Sequence, residues 1–531
     1  MLPQCAPTNG QLRKKIDLKV GILELLTSGL ATSWKQEIEH YSTTKQYASL
    51  MPQAIAVWCR QLGHEVYYTT HYGHGDPKKL LPNDLDVVFI SGITISSATS
   101  YALAKLYRRE HTLTVIGGPH AKAFPDDCLR YFDLVVLECD KQLIADILSG
   151  AYDPGFIISS GRALTGIPSV AERMPEIKKA SFFRGSRPYF GSMVPLLASV
   201  GCPYTCDFCI DHNNPYVVIP PDQLEADMTY LSQNLPGIKV TFHDPNFAVQ
   251  FDKTMDVLEK IPPGKRNPYI MESSLSVLKG PRLPRLRDTN CYYVAPGIES
   301  WSNYSNKTGV GSATGSEKVR AVAEHIELLS SYVPGIQVNL LFGLDADEGD
   351  EPVELTKEFI RKTPFAWPVV NIPIPFGGTP LYDQNLEEGR ILRSMPFSFY
   401  YAPYLVTTLK NYDPITYYQK LIEIFSSYSG RFGLRQRLRA TPNKTLRLLV
   451  FVRNLRVKEA IGRFRRILDM LATDKHFLEF HEGRSQVLPE FYHREYERLL
   501  GSYASLMPRE ERTPVLLSNR TAHPRQAILT K

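Results

Sequence analysis

Cys202, Cys206 and Cys209 stand within eight residues, spaced C-x-x-x-C-x-x-C in ASVGCPYTCDFCI, just past an apolar strand-like run. Three thiolates can hold three irons of a four-iron cluster and leave the fourth open to a ligand, with ligation and surroundings tuning the potential. The same sulfurs could bind a structural zinc, with His212, His243 or Cys291 as the fourth ligand. Zinc sites usually come as C-x-x-C pairs, so the uneven three-cysteine loop favours a cluster. Eight cysteines in 531 residues are too few for a disulfide scaffold. Their clustering points to metal or redox chemistry in a reducing cytoplasm.

The apolar and polar patterns show what must position that loop. Residues 17–149 alternate Val, Ile and Leu runs (LKVGILELL, VYYTT, DLDVVFISGIT, LTVIGGPH, FDLVVLE) with stretches of helical period. Such continuous apolar strands suit a parallel sheet covered on both faces, here a doubly wound nucleotide-binding-type domain. Residues 150–190, rich in Gly, Pro, Ser and charge, read as a linker or peripheral wrap. Six further strand runs between 191 and 405 repeat a βα order and predict a partial (β/α)6 barrel, with the cysteines at the end of its first strand. That is the face where (β/α) enzymes build their sites. Residues 406–531 read as helical with a polar tail, and residues 1–16 as an N-terminal tail.

The length suggests roughly three domains, and 43% hydrophobic with 22% charged residues excludes a disordered, collagenous or membrane-embedded chain. No run reaches the ~18 apolar residues of a membrane span, and the N-terminus lacks the features of a secretory signal.

The cysteine segment, with Phe208 before the third cysteine, resembles the signature of the radical S-adenosylmethionine (SAM) enzymes. FHDPNF (242–247), ESS (272–274), GIES (297–300), FGLDADE (342–348) and PIPFGGTPLYD (373–383) fall in register with that family's later strand ends. The resemblance covers about 190–405. It implies a [4Fe-4S] cluster on Cys202, Cys206 and Cys209 whose open iron binds SAM, and cleavage of SAM to a 5′-deoxyadenosyl radical that abstracts hydrogen. Phe208 would lie against the adenine, and Asp244, Glu272 and Glu299 are candidate anchors for ribose hydroxyls or the SAM ammonium. Each carboxylate could instead cap a helix or form a salt bridge. An electron donor such as flavodoxin or ferredoxin is implied as a partner.

Placed ahead of such a core, residues 17–149 resemble a cobalamin-binding domain, giving an α/β chain of Rossmann-like domain, radical SAM barrel and mainly helical C-terminal region. SGITISS (91–97) and IGGPHAKAFP (116–125) carry this resemblance, with Thr94, Ser96, Gly117 and Gly118 as candidate cobalamin-binding residues. The D-x-H-x-x-G loop that supplies a histidine ligand in many such domains is replaced by ELLTSGLATSW, and the turn after the fifth strand reads ECDK. Cobalamin would therefore lack that ligand, or the domain would serve as a scaffold without it. A tRNA methylthiotransferase-like second cluster on Cys59, Cys128 and Cys139 is disfavoured, because Cys59 and Cys128 fall in helix-like stretches where a buried thiol is ordinary.

Residues 431–466 hold twelve Lys or Arg against one acidic residue, Glu459, so a chain of formal charge +6 is faintly acidic elsewhere. Apolar Leu448, Val452 and Leu455, then Ile461, Phe464 and Leu468, give this stretch helical spacing. It could meet a membrane surface or an anionic substrate, or be a solvated helix face packed on the barrel. Missing interleaved aromatics argue against nucleic acid. The expected function is radical SAM chemistry on an organic metabolite, anionic or lipid-like, with cobalamin-dependent C-methylation foremost. Cobalamin-free rearrangement or cyclisation is the first alternative. A non-catalytic zinc or Fe–S protein binding RNA or a partner is the second.

Overall fold

The chain, seen in a computed structural model, is described for residues 17–517 except 163, 165, 213, 305 and 306. The expected tail at 1–16, and the chain beyond 517, lie outside the described residues. Six strands form the first sheet: β1 (Lys19–Leu25), β2 (Glu65–His71), β3 (Val87–Gly92), β4 (Leu113–Gly117), β5 (Leu134–Val136) and β6 (Phe156–Ile158). They lie in the order β2-β1-β3-β4-β5-β6, and every pairing is parallel.

Because side chains alternate across a strand, successive apolar residues feed two cores. Leu23, Leu25, Val88, Ile90 and Ile116 pack on one face with Tyr101 and Tyr107 of the helix Ser97–Arg109. Val20, Ile22, Val87, Phe89 and Val115 pack on the other with Ala54 and Trp58 of the helix Leu50–Gln61. This two-sided burial is why the strands read as unbroken apolar runs.

Residues 150–190, expected as a linker or peripheral wrap, add β6 to the sheet edge and form the helix Val170–Ser181. The strand is three residues long and its neighbours are Gly and Pro, so it carries no periodicity to read. The helix begins at a reciprocal Ser169–Glu172 capping box. Its Arg173 is fully buried and donates to Gln53 Oε1 (2.9 Å) and to the Pro195 carbonyl (3.2 Å), joining the first domain to the second.

The second sheet contains β7 (Met193–Leu196), β10 (Lys239–Phe242), β11 (Tyr269–Ser273), β12 (Cys291–Glu299), β13 (Gly335–Leu341) and β14 (Ala366–Asn371), all parallel and in sequential order. Between β7 and β10, β8 (Ser199–Val200) and β9 (Val217–Val218) form a small antiparallel ribbon. The remaining chain is helical, with the helix Pro414–Ser429 packed on the thirty-residue helix Lys444–Thr473. The two sets of apolar positions with helical spacing differ here: Ile461 and Phe464 enter the core, whereas Leu448 and Leu455 are exposed. The buried stripe continues through Val457, Ile467 and Leu471, on a different helix face. Among the described residues no helix is long and apolar enough to cross a membrane.

Candidate active site

The cysteine loop is closed at its neck by the ribbon, where Ser199 faces Val218 and Val200 faces Val217. Gly201 makes this closure possible. Its φ is +69°, and a Cβ there would lie 2.2 Å from the Pro215 carbonyl oxygen. Inside the loop, Cys209 N–H donates to the Cys206 carbonyl and His212 N–H to the Cys209 carbonyl, both at 3.1 Å. Three ties run outward. Tyr204 meets Ser276 Oγ at 2.7 Å beyond β11, Leu381 N–H donates to the Asp207 carbonyl at 3.0 Å, and Tyr304 hydroxyl donates to the Asp207 carboxylate.

The three half-buried thiols share one cation. Burial pushes the Cys206 and Cys209 thiols up, and Lys307 pulls both down. Burial alone would lower the Lys307 ammonium, yet Glu299 and then the three cysteines raise it above its ordinary value. Lys307 Nζ lies 3.4 Å from Glu299 Oε1 and 5.6 Å from the centre of the Phe208 ring, a cation–π contact. The opposite side of the site carries Tyr304, its ring stacked near Phe208 at 6.1 Å.

The expected anchors fall in two places. Glu299 is buried beside Lys307, and Glu272 lies within reach of the same charge. Burial raises the Glu299 carboxyl and Lys307 counters it, whereas Glu272 is exposed at the end of β11. Glu299 sits at φ +66°, where a non-glycine residue is strained, after a register shift in the β12–β13 pairing. Gly297 makes room for it, since a Cβ there would come within 2.2 Å of Glu299 Oε1. Asp244 is elsewhere. Its carboxylate accepts from Ala198 N–H (3.0 Å) and Ser199 hydroxyl (2.6 Å), holding the strand that leads into the loop, and burial pushes it up to about 6. No motif in the sequence pointed to Lys307 and Tyr304, because they lie beyond β12 and only the fold brings them to the cysteines.

The zinc alternative finds no converged ligand set among the described residues. Cys291 is buried at the opposite end of β12 from Glu299, with its thiol toward the Tyr293 carbonyl. The His243 ring lies in the field of Arg173, and burial lowers its pKa to about 4. His212 Nδ1 is 3.1 Å from the Cys209 carbonyl oxygen. Among the described residues, no three His, Cys, Asp or Glu side chains converge as around a single metal ion. Three thiols with one lysine fit the anionic, sulfur-ligated group the spacing implies. The disfavoured second cluster has no basis either. Cys128 belongs to one core of the first sheet, whereas Cys59 and Cys139 pack with the other.

A cavity of about 410 Å³ lies between the cysteine loop and the carboxyl ends of β3, β4 and β5. Gly201, Ile210 and Asp211 line it from the loop, and Ser91, Gly117 and Gly118 from the first sheet. Gly118 has φ +96°, and a Cβ there would lie 3.1 Å from the Gly92 carbonyl oxygen. Thr94 and Ser96 do not line this cavity. They form a short turn at the start of the next helix, where the Ser96 hydroxyl donates to the Ile93 carbonyl at 2.7 Å. Apolar Ile22, Met51, Ile55 and Phe89 form the cavity's inner wall, with no histidine among its lining.

A (β/α)6 sheet carrying three cysteines after its first strand, behind a doubly wound domain whose strand ends face that loop, defines the class. The chain has the architecture of the radical SAM enzymes that carry a cobalamin-binding-type N-terminal domain. Known proteins of this kind resemble it. Bacteriochlorophyllide d C-8(2)-methyltransferase of Chlorobaculum tepidum is 24% identical over 389 residues, covering 70% of this chain and 83% of that protein. Among solved structures, the cobalamin-dependent SAM radical enzyme OxsB, with aqua-cobalamin bound, superposes with a TM-score of 0.55 at 12% identity. That alignment covers 93% of this chain and 80% of OxsB. The radical SAM methyltransferase TsrM of Kitasatospora setae, with cobalamin and a [4Fe-4S] cluster, gives 0.51 at 13% identity, over 70% and 78%. No protein-family model matches the chain.

Proposed function

We propose that this chain moves a methyl group from SAM to a carbon of an organic metabolite, using a [4Fe-4S] cluster, SAM and cobalamin. When bound, these groups supply reductive cleavage of SAM and a carrier for the methyl group. The observation that carries the reading is the cavity joining the carboxyl ends of β3–β5 to the cysteine loop.

In this reading Cys202, Cys206 and Cys209 hold the cluster. Phe208 lies against the adenine, and Glu272 and Glu299 accept from ammonium and hydroxyl donors. Lys307 offsets the charge of three thiolates and of any carboxylate placed among them. Asp244 positions the loop rather than touching SAM. Gly117 and Gly118 let a nucleotide tail approach the backbone, while Thr94 and Ser96 shape the turn behind it. The first domain occupies residues 17–149 with β6 and the helix Val170–Ser181 added to it, and the barrel 191–405. The bacteriochlorophyllide in the named relative's name and the exposed basic helices favour a large, apolar or anionic substrate. A one-electron donor such as flavodoxin or ferredoxin would feed the cluster. The reducing cytoplasm suits seven described cysteines that are all unbridged.

Anaerobic reconstitution with iron, sulfide and hydroxocobalamin tests this. Dithionite and SAM should yield 5′-deoxyadenosine, cobalt should survive desalting, and Cys202→Ala should lose the cluster's visible absorbance. SAM cleavage without retained cobalt would move the chain to a cobalamin-free reaction. Zinc alone, with no cleavage, would sink the enzyme reading.

A further inference from the structure

The helix Lys444–Thr473 packs only one side against the protein. Leu448, Phe451 and Leu455, spaced i, i+3 and i+7, form an exposed apolar row. Arg447, Lys458 and Arg465 lie along one edge of this row by the helical period, and all three are exposed. Glu459 is the only acidic residue of 431–466, with Asp469 following in the helix's last turns. Beside its first turns, an open hollow against the helix Arg431–Ala440 is rimmed by Arg431, Arg435, Arg439 and Arg447 over Leu434 and Leu438. Among the described residues, none of these four arginines pairs with a carboxylate.

A second apolar face adjoins the first. Arg456 pairs with Glu39 at 2.9 Å, bringing the helix Trp34–Thr43 alongside. That helix exposes Trp34 and Ile38, one turn apart, and Tyr47 is exposed shortly after it. The long helix also contacts the start of β12, where Arg453 bonds the Tyr293 hydroxyl. The basic helix thus caps the end of the second sheet opposite the cysteine loop.

We infer that this face docks on an anionic lipid bilayer. Exposed Leu and Phe flanked by Arg and Lys, with Trp and Tyr beside them, combine apolar insertion with attraction to lipid phosphates. Four guanidiniums around an apolar floor, none on a carboxylate among the described residues, suit headgroup phosphates in the same way. An RNA surface would need the charge but not the exposed aliphatic row, and would interleave aromatics for stacking. Docking at this end leaves the cysteine loop and the cavity facing away from the bilayer.

The molecule carries its own probe. Trp34 is 67% exposed, whereas Trp58, Trp301 and Trp367 are each 6% exposed or less. The full chain should sediment with vesicles of phosphatidylcholine and phosphatidylglycerol but weakly with phosphatidylcholine alone. Tryptophan emission should shift to the blue on the anionic vesicles, and Trp34→Ala should lose that shift. Phe451→Glu with Leu455→Glu should lower partitioning roughly tenfold or more, as should Arg435→Glu with Arg447→Glu. All four residues are exposed, and circular dichroism and melting checks that the variants fold. No sedimentation with anionic vesicles, or sedimentation that these substitutions leave unchanged, overturns the inference. So does tight binding of single-stranded RNA without lipid binding.

Discussion

Three residues decide the chemistry of the site at the smallest scale: Gly201, Glu299 and Lys307. Gly201 cannot be replaced by alanine without moving the neck of the loop, since its Cβ would sit 2.2 Å from the Pro215 carbonyl oxygen at a positive φ. Gly201→Ala should cost about 2 kcal/mol or more of stability and at least halve the iron bound per chain after reconstitution. Gly264→Ala, which meets nothing within 4 Å, serves as the control and should bind iron normally. Lys307 favours the thiolate at Cys206 and Cys209. Lys307→Gln should therefore move the pH midpoint of iodoacetamide alkylation of the iron-free chain upward by about one pH unit. An unchanged midpoint would place the ammonium too far away to act on the thiols.

Strand ends and turns do the positioning at the scale of elements, and several bury a carboxyl to do so. Glu24 of β1 accepts from Ser49 N–H at 2.7 Å and from the Ser49 hydroxyl, joining the strand to the start of the helix Leu50–Gln61. Full burial pushes its pKa up from 4.5 to about 7. The folded chain then keeps a proton that the unfolded chain releases, so stability falls as pH rises from about 4.5 to 7 and levels off above. The shift corresponds to ~3 kcal/mol. Glu24→Gln should lose much less melting temperature between pH 5 and 7.5 than the parent, leaving a smaller fall from Asp244 and Asp347, both pushed up to about 6. Equal falls in both proteins would clear Glu24 of the effect. Elements of this kind were legible because two-sided burial writes unbroken apolar runs. β6 was not, because three residues hold no period. The cysteine triad was legible in its spacing, and GIES only through the family resemblance. Lys307, Tyr304 and the bond from Leu381 to Asp207 were not, since they join segments up to 174 residues apart.

The two domains must meet correctly for the cavity to exist at the scale of the molecule, and one glycine marks where they touch. Gly377, in the turn after β14, lies so close to the first domain that a Cβ would come within 2.0 Å of the Ala123 carbonyl oxygen. Ala123 ends the helix Pro119–Ala123, whose Lys122 bonds Asn214 in the cysteine loop and lines the cavity. The chain's C-terminal stretch crosses the same junction. Val515 N–H donates to Asp127 at 2.8 Å, Arg130 donates to the Thr513 carbonyl at 2.9 Å, and Tyr382 hydroxyl reaches the Leu517 carbonyl at 3.4 Å. Those ties hold the domains together even if one contact gives way, so a bulky residue at 377 should shift the first domain without unfolding either. Gly377→Val should therefore keep its iron after reconstitution yet retain at least tenfold less cobalamin after desalting, because only the cavity wall moves. The cysteine loop is closed by its own ribbon, which makes iron the internal control. Loss of iron in parallel with cobalamin would mean that the loop, rather than the junction, responds to residue 377. Full retention of both would show that the cavity does not depend on this contact.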